Sequence, residues 1–97
     1  MHITIRRYRI HAGLTQDLLE RIRTSFVPVI SKLPNFVAYY AVDEGDRDIS
    51  GISIFKDEAS AKASKAIASD WVMKNIASLI SVPPQIIAGE VVASAEA

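Results

Sequence analysis

Phe36-Val37-Ala38-Tyr39-Tyr40-Ala41-Val42 is the stretch that decides the fold. Every residue in it is apolar or aromatic, and Pro34-Asn35 and a polar run bound it. That is the pattern of a strand. A strand with one face in water alternates apolar and polar residues; this one does not, so both of its faces are expected to be buried. Glu44-Gly45-Asp46-Arg47-Asp48 then reads as a turn, and Ile49 to Phe55 as the second arm of a hairpin. In that arm Ile52 and Ile54 point one way and Gly51, Ser53 and Phe55 the other, where the small residues allow a close approach.

Working outward, residues 2–10 form a strand, with Ile3 and Ile5 alternating with Thr4 and Arg6 and a basic second half, Arg6-Arg7-Tyr8-Arg9. His11-Ala12-Gly13 turns the chain. Thr15 is the expected N-cap of a helix over about 16–33, with Leu14 and Leu19 at staple positions and Asp17 one turn from Arg21. Leu18, Ile22, Phe26, Ile30 and Leu33 make its apolar stripe, and Pro28 should kink or tighten the last turns. A second helix is capped by Asp57, carries a stripe of Ala59, Ala63, Ala66 and Ile67, and restarts near Ser69-Asp70 before Trp71. Pro83-Pro84 stops it, and Ile86 to Ala93 is a last strand.

The order is strand, helix, strand, strand, helix, strand over one domain, residues 1–97. Right-handed crossovers turn that order into an α+β, ferredoxin-like βαββαβ fold: a four-stranded antiparallel sheet with the helices on one face. The other face keeps apolar side chains from at least three strands, a patch of the kind that marks an interface. A chain of 97 residues has a thin core and, with no cysteine, no disulfide to reinforce it. A homodimer, sheet against sheet, is the expected remedy.

Composition narrows the function classes. Eleven basic and eleven acidic side chains give no net charge, against nucleic-acid binding; Tyr8 and Phe55 are only a faint echo of an RNA-stacking pair. No apolar run approaches the roughly 20 residues that span a bilayer. The basic residues at the start follow the apolar ones, the reverse of a secretory signal, so a cytoplasmic location is expected. His2 and His11 lack partners at metal or triad spacing and read as solvent residues, and neither a metal nor a cofactor is expected.

Several features resemble the dimeric α+β barrel proteins and, within them, the small antibiotic-biosynthesis-monooxygenase-like domains. They are the opening strand with its turn at Gly13, the run Pro34-Asn35-Phe36-Val37-Ala38-Tyr39-Tyr40, the strand Ile52-Ser53-Ile54-Phe55 before an acidic helix start, and Trp71 in the second helical region. Asn35 stands where that family usually has glycine. The resemblance implies two protomers pressed sheet to sheet, a pocket between sheet and helices in each, and in some members cofactor-free oxidation of aromatic polyketides. The related haem-degrading branch uses an asparagine, a tryptophan and a histidine, of which only Trp71 has a counterpart here.

The candidate substrate-binding residues are Trp71, Tyr40 and Arg7. Trp71, the one tryptophan, is either a core anchor or a pocket wall. Tyr39 and Tyr40 point to opposite faces, one toward the helices as a ligand contact and one toward the partner. Arg7 shares a face with Ile3 and Ile5; if that face meets the helices, its guanidinium holds an acidic or enolate group, and otherwise it is a solvated strand end. Glu90 is either a base with a raised pKa or an interface charge paired with an arginine. Two functions follow: an oxygenase-like enzyme acting on a small aromatic or polyketide-like ligand, or a non-catalytic homodimeric binding module. Both require the dimer. Sedimentation equilibrium at micromolar concentration is expected to return twice the protomer mass, and a stable lone protomer removes the barrel reading.

Overall fold

The computed structural model describes residues 1–97. Strand β1 (His2–Arg9) is followed by a helical arm in three continuous pieces: α1 (Thr15–Arg21), a π-helical stretch (Ile22–Phe26) and α2 (Val27–Ile30). Then come β2 (Phe36–Gly45), β3 (Asp48–Phe55), α3 (Glu58–Asn75), a 3₁₀ turn (Ala77–Leu79) and β4 (Gln85–Glu90). The sheet order is β2-β3-β1-β4 with every pairing antiparallel, and the helices lie on one face. No helix is long and apolar enough to cross a membrane.

Pro28 widens the helical arm rather than kinking or tightening it. Proline offers no N–H to the carbonyl one turn back. Just before it the chain passes into a π stretch in which the Val27 N–H donates to Ile22 O. The wider turn has a packing consequence. Leu18, Ile22, Phe26 and Ile30 are spaced by four, more than the 3.6 residues of an α-helical turn, so a uniform helix would carry them gradually around its axis. All four are buried on one side here. Thr15 is not the cap: Leu14 holds that position without a side-chain bond, partly buried against the core, so packing sets the start of the arm. Arg21 does not rely on Asp17; its Nη1 donates to Asn75 O at the end of α3.

The expected cap of α3 is present. Asp57 has extended backbone, φ −139° and ψ 165°, and its Oδ1 accepts the Ser60 N–H at 2.7 Å. Asn35 reinforces it, donating through Nδ2 to Asp57 Oδ2 (3.1 Å) and Ser60 Oγ (2.9 Å). Asn35 sits at φ 62°, a left-handed position that asparagine tolerates better than most residues. It therefore does the glycine's conformational work and adds a tie across to α3. The helix runs through Ser69-Asp70 without a restart, and its buried stripe is Ala61, Ser64, Ala68, Trp71 and Val72, not Ala59, Ala63, Ala66 and Ile67.

The β2–β3 hairpin turns on Asp46 (φ 50°) and Arg47 (φ 66°), the two positive φ angles that match the twist of the strands. β1 anchors that turn: Arg9 Nη1 donates to Asp46 O (2.7 Å) and Ile10 N to Arg47 O (2.9 Å). β4 ends at Glu90, short of the expected Ala93.

Register assigns every side chain to a face. His2, Thr4, Arg6 and Tyr8 point toward the helices, with Ile49, Gly51, Ser53 and Phe55 of β3 and Tyr39 of β2. The opposite face carries Ile3, Ile5, Arg7, Tyr40, Val42, Ile52, Ile54 and Ile87. Much of it is open, with Tyr40 58% and Ile87 66% exposed.

Asp57's hydrogen bonds from the Ser60 backbone N–H and hydroxyl hold its carboxyl below the ordinary 3.8. A depressed pKa contributes stability above the ordinary value and loses it as pH falls through the folded one. Asp57→Ala is therefore expected to lower the melting temperature at pH 7, with the gap from wild type closing as pH falls below 3.8. A gap that persists in acid would assign the loss to something other than the charged cap.

Candidate functional site

The helix-roofed side of the sheet is apolar at its ends and polar in the middle. Phe26, from the π stretch, meets Trp71 of α3 at 4.9 Å between ring centroids and Tyr39 of β2 at 5.2 Å, edge-on. These contacts join the arm, α3 and the sheet. The Trp71 indole N–H donates to Ser25 Oγ at 2.9 Å, which gives the buried ring the polar partner it needs.

Tyr39 reaches across β3. Its hydroxyl oxygen lies 2.6 Å from where a Cβ on Gly51 would stand. The close approach expected at the small residues of β3 is thus made by Tyr39, and only glycine permits it. Gly51 pairs with Arg6 on β1, so the hydroxyl points toward the strand that carries Arg6. The Arg6 Nη2 donates to Lys65 O (3.1 Å) and Ser69 Oγ (3.3 Å) of α3. Two residues back on the same face, Thr4 Oγ1 is sealed from solvent with no hydrogen-bond partner.

Burial raises the Tyr39 pKa well above the ordinary tyrosine value; Tyr8 adds to the rise and Arg6 opposes it. Burial likewise pushes Tyr8 up to about 12, against Arg6. Both phenols are neutral near pH 7. Tyr39 is therefore a hydrogen-bond donor toward its surroundings and not a resting base.

Two open grooves border this region. One, of about 330 Å³, runs between the helical arm and β2; Leu19, Ile22, Val27 and Tyr39 line it, with Arg23 and Asp43. The other, of about 260 Å³, lies between the end of the arm and α3, lined by Leu33, Pro34, Ala63 and Ile67 with Ser64. Ala59, Ala63 and Ile67 of the stripe of small residues face this second groove.

Trp71, Tyr40 and Arg7 do not converge. Trp71 is under the helices, while Tyr40 and Arg7 are on the open face. Arg7 does not sit at a helix-side rim: the face it shares with Ile3 and Ile5 is the open one, and its Nη2 donates to Glu44 Oε2 (3.1 Å) and Asp48 Oδ2 (3.3 Å). The arginine under the helices is Arg6 and the tyrosine is Tyr39. His2 is buried rather than solvated, its Nδ1 3.3 Å from Glu90 Oε2. Glu90 is no base with a raised pKa: hydrogen bonds from the Met1 ammonium and then His2 hold it below its ordinary value. No three His, Cys, Asp or Glu side chains cluster as metal ligands would.

The fold is that of the antibiotic-biosynthesis-monooxygenase-like proteins, a ferredoxin-type α+β sheet. No protein-family model and no curated protein matches the chain. Among solved structures, a protein of unknown function from Nitrosomonas europaea superposes with TM-score 0.83 and 24% identity over 99% of this chain and 93% of that one. SnoaB, a cofactor-independent oxygenase from Streptomyces nogalater, gives 0.75 and 12% over 96% and 94%. MhuD, determined with two manganese protoporphyrin IX molecules per active site, gives 0.78 and 15% over the whole of both chains. The residues here do not fit a haem: of the two histidines, His2 is tied to Glu90 at a strand end and His11 is exposed in a turn.

The contact between Tyr39 and Gly51 is testable alone. Gly51→Ala forces the hydroxyl away and should cost about 1–3 kcal/mol in denaturant unfolding. Adding Tyr39→Phe leaves the ring carbons at 3.4 and 3.5 Å, ordinary contacts, and should recover most of that loss. No recovery would show that the strain lies elsewhere.

Proposed function

We propose that this chain works as a homodimer that binds a small aromatic molecule against Tyr39, in the groove between the helical arm and β2, and acts on it as a cofactor-independent oxygenase. One observation carries the reading: a single side chain, Tyr39, lines the groove and reaches across β3 with a neutral hydroxyl against Gly51. An aromatic wall ending in a donor suits a phenol or enol, whose ring packs while its oxygen is held. The fold shared with an oxygenase that needs no cofactor is consistent with it.

The chemistry asked of the protein is limited. A phenol or enol gives up its proton, the resulting anion is electron-rich enough to reduce dioxygen directly, and oxidation of a ring CH₂ to C=O consumes one O₂ and releases one water. The protein binds, excludes water and removes the proton. Tyr39 is the donor that steadies the developing oxyanion. Asp43, the carboxylate lining the same groove, takes the proton. A second copy covers the open face around Ile5, Tyr40, Ile52 and Ile87, which places Tyr40 and Arg7 at the interface.

A second reading has its own support. Trp71 is buried, bonded to Ser25 and packed on Phe26, and lines neither groove that borders this region. A tryptophan engaged within the core suits a dimeric binding or interaction module without turnover. Oxygen consumption with a panel of anthrones and hydroquinones decides between them. The enzyme reading expects uptake that Asp43→Asn lowers by about 10²–10⁴ and that Tyr39→Phe also lowers. Binding with no uptake from any member of the panel supports the module.

A further inference from the structure

Arg6 is a buried cation without a counter-charge. It is 7% exposed, and its Nη2 bonds go to two neutral oxygens, Lys65 O and Ser69 Oγ. Arg7, Arg9 and Arg23 each hold a carboxylate within 4.0 Å; Arg6 holds none. A charge taken out of water without an opposite charge is among the costliest arrangements a fold can keep. Its neighbours deepen the imbalance. Thr4 Oγ1 is buried and unpartnered on the same strand face, and across Gly51 the Tyr39 hydroxyl is held neutral. Arg6 and Thr4 sit two residues apart on one face of β1, Tyr39 approaches the Gly51 that pairs with Arg6, and no acid bonds to any of the three. In a chain this small, such a set is matched only from outside.

We propose that the missing partner is the carboxylate of a small aromatic acid, seated on Arg6 with the Thr4 and Tyr39 hydroxyls beside it. This rests on the small-molecule reading above and names its ligand class. A guanidinium presents paired N–H groups that match the two oxygens of a carboxylate better than any neutral group. The ring has a place as well. The ring enters from the β2-edge groove past Tyr39, which lines that groove and whose hydroxyl approaches Gly51, the residue paired with Arg6.

Isothermal titration calorimetry of the whole chain at pH 7 tests this with two matched probes, 2-naphthoate and its neutral counterpart 2-naphthamide. The acid is expected to bind about tenfold or more tighter than the amide, as one charge-assisted pair warrants. Arg6→Met should abolish that preference and Arg6→Lys keep part of it. The free Arg6→Met protein should melt no lower than wild type, because it sheds an unmatched buried charge; an arginine present only to fasten α3 would lower it. Where Arg6→Met does not fold, Arg6→Gln, which retains donors for Lys65 O and Ser69 Oγ, carries the comparison. Equal binding of acid and amide by wild type, or a preference that survives in Arg6→Met or Arg6→Gln, overturns the proposal and leaves small-molecule binding standing. Binding of neither probe also overturns the proposal, and oxygen uptake with the anthrone and hydroquinone panel then decides the reading on which it rests.

Discussion

The pleat of β1 is the constraint on which the rest depends. β1 is an inner strand, paired to β3 on one side and β4 on the other, so its side chains have only two directions available. Ile3, Ile5, Arg7 and Arg9 take one face, and His2, Thr4, Arg6 and Tyr8 the other. The helices settle on the second. That face offers Tyr8, Ile49 and Phe55 as a floor for the arm and α3, at the cost of burying a histidine, a threonine and an arginine with them. The face with more isoleucine is left open. A one-residue slip of β1 would exchange the two sets, and the register against both neighbours prevents it.

This inversion bears on function. A sheet that hid only apolar side chains under its helices would have a stable interior with nothing in it to recognise a ligand. Here the middle of the interior is built from donors: the Arg6 guanidinium, the phenols of Tyr8 and Tyr39 and the Thr4 hydroxyl. The aromatic trio Phe26, Tyr39 and Trp71 closes the region toward the helical arm. Stability is drawn from the ends of the layer and polarity is concentrated at its centre, a division expected where a fold keeps a site at some cost to itself.

Much of the architecture was legible in the sequence. The order of elements, the strand at Phe36–Val42, the hairpin and the Asp57 cap each rest on a local signal, period or cap chemistry, that tertiary context did not overrule; the expected burial of both faces of that strand did not follow, because β2 is an edge strand and Val37, Tyr40 and Val42 are exposed in the protomer. What was not legible depended on comparing elements. Ile3 and Ile5 made their face look like the interior, and only the positions of the helices show that the neighbouring set is inside; hence Arg6 and Tyr39 are in place of Arg7 and Tyr40. The rotation of α3 was hidden because alanine and serine surround it almost evenly and define no face until Trp71 and Val72 anchor it. The π stretch is read from two facts together, the spacing of four in the apolar stripe and the missing donor at Pro28. Gly51 was the usable clue to Tyr39, since a glycine in mid-strand implies a large neighbour on its own face.

The wedge of Trp71 between the two helical layers gives this protein an internal gauge. Its indole nitrogen is fastened to Ser25 on one arm while its backbone belongs to the other, so the ring senses the spacing between them. With no second tryptophan in the chain, its emission colour is an uncontaminated record of that spacing. Parting of the arms would wet the indole and shift its light to the red, whereas a change confined to the open face of the sheet would leave it unchanged. Loosening of the roof and events at the open face can therefore be told apart in the unlabelled protein.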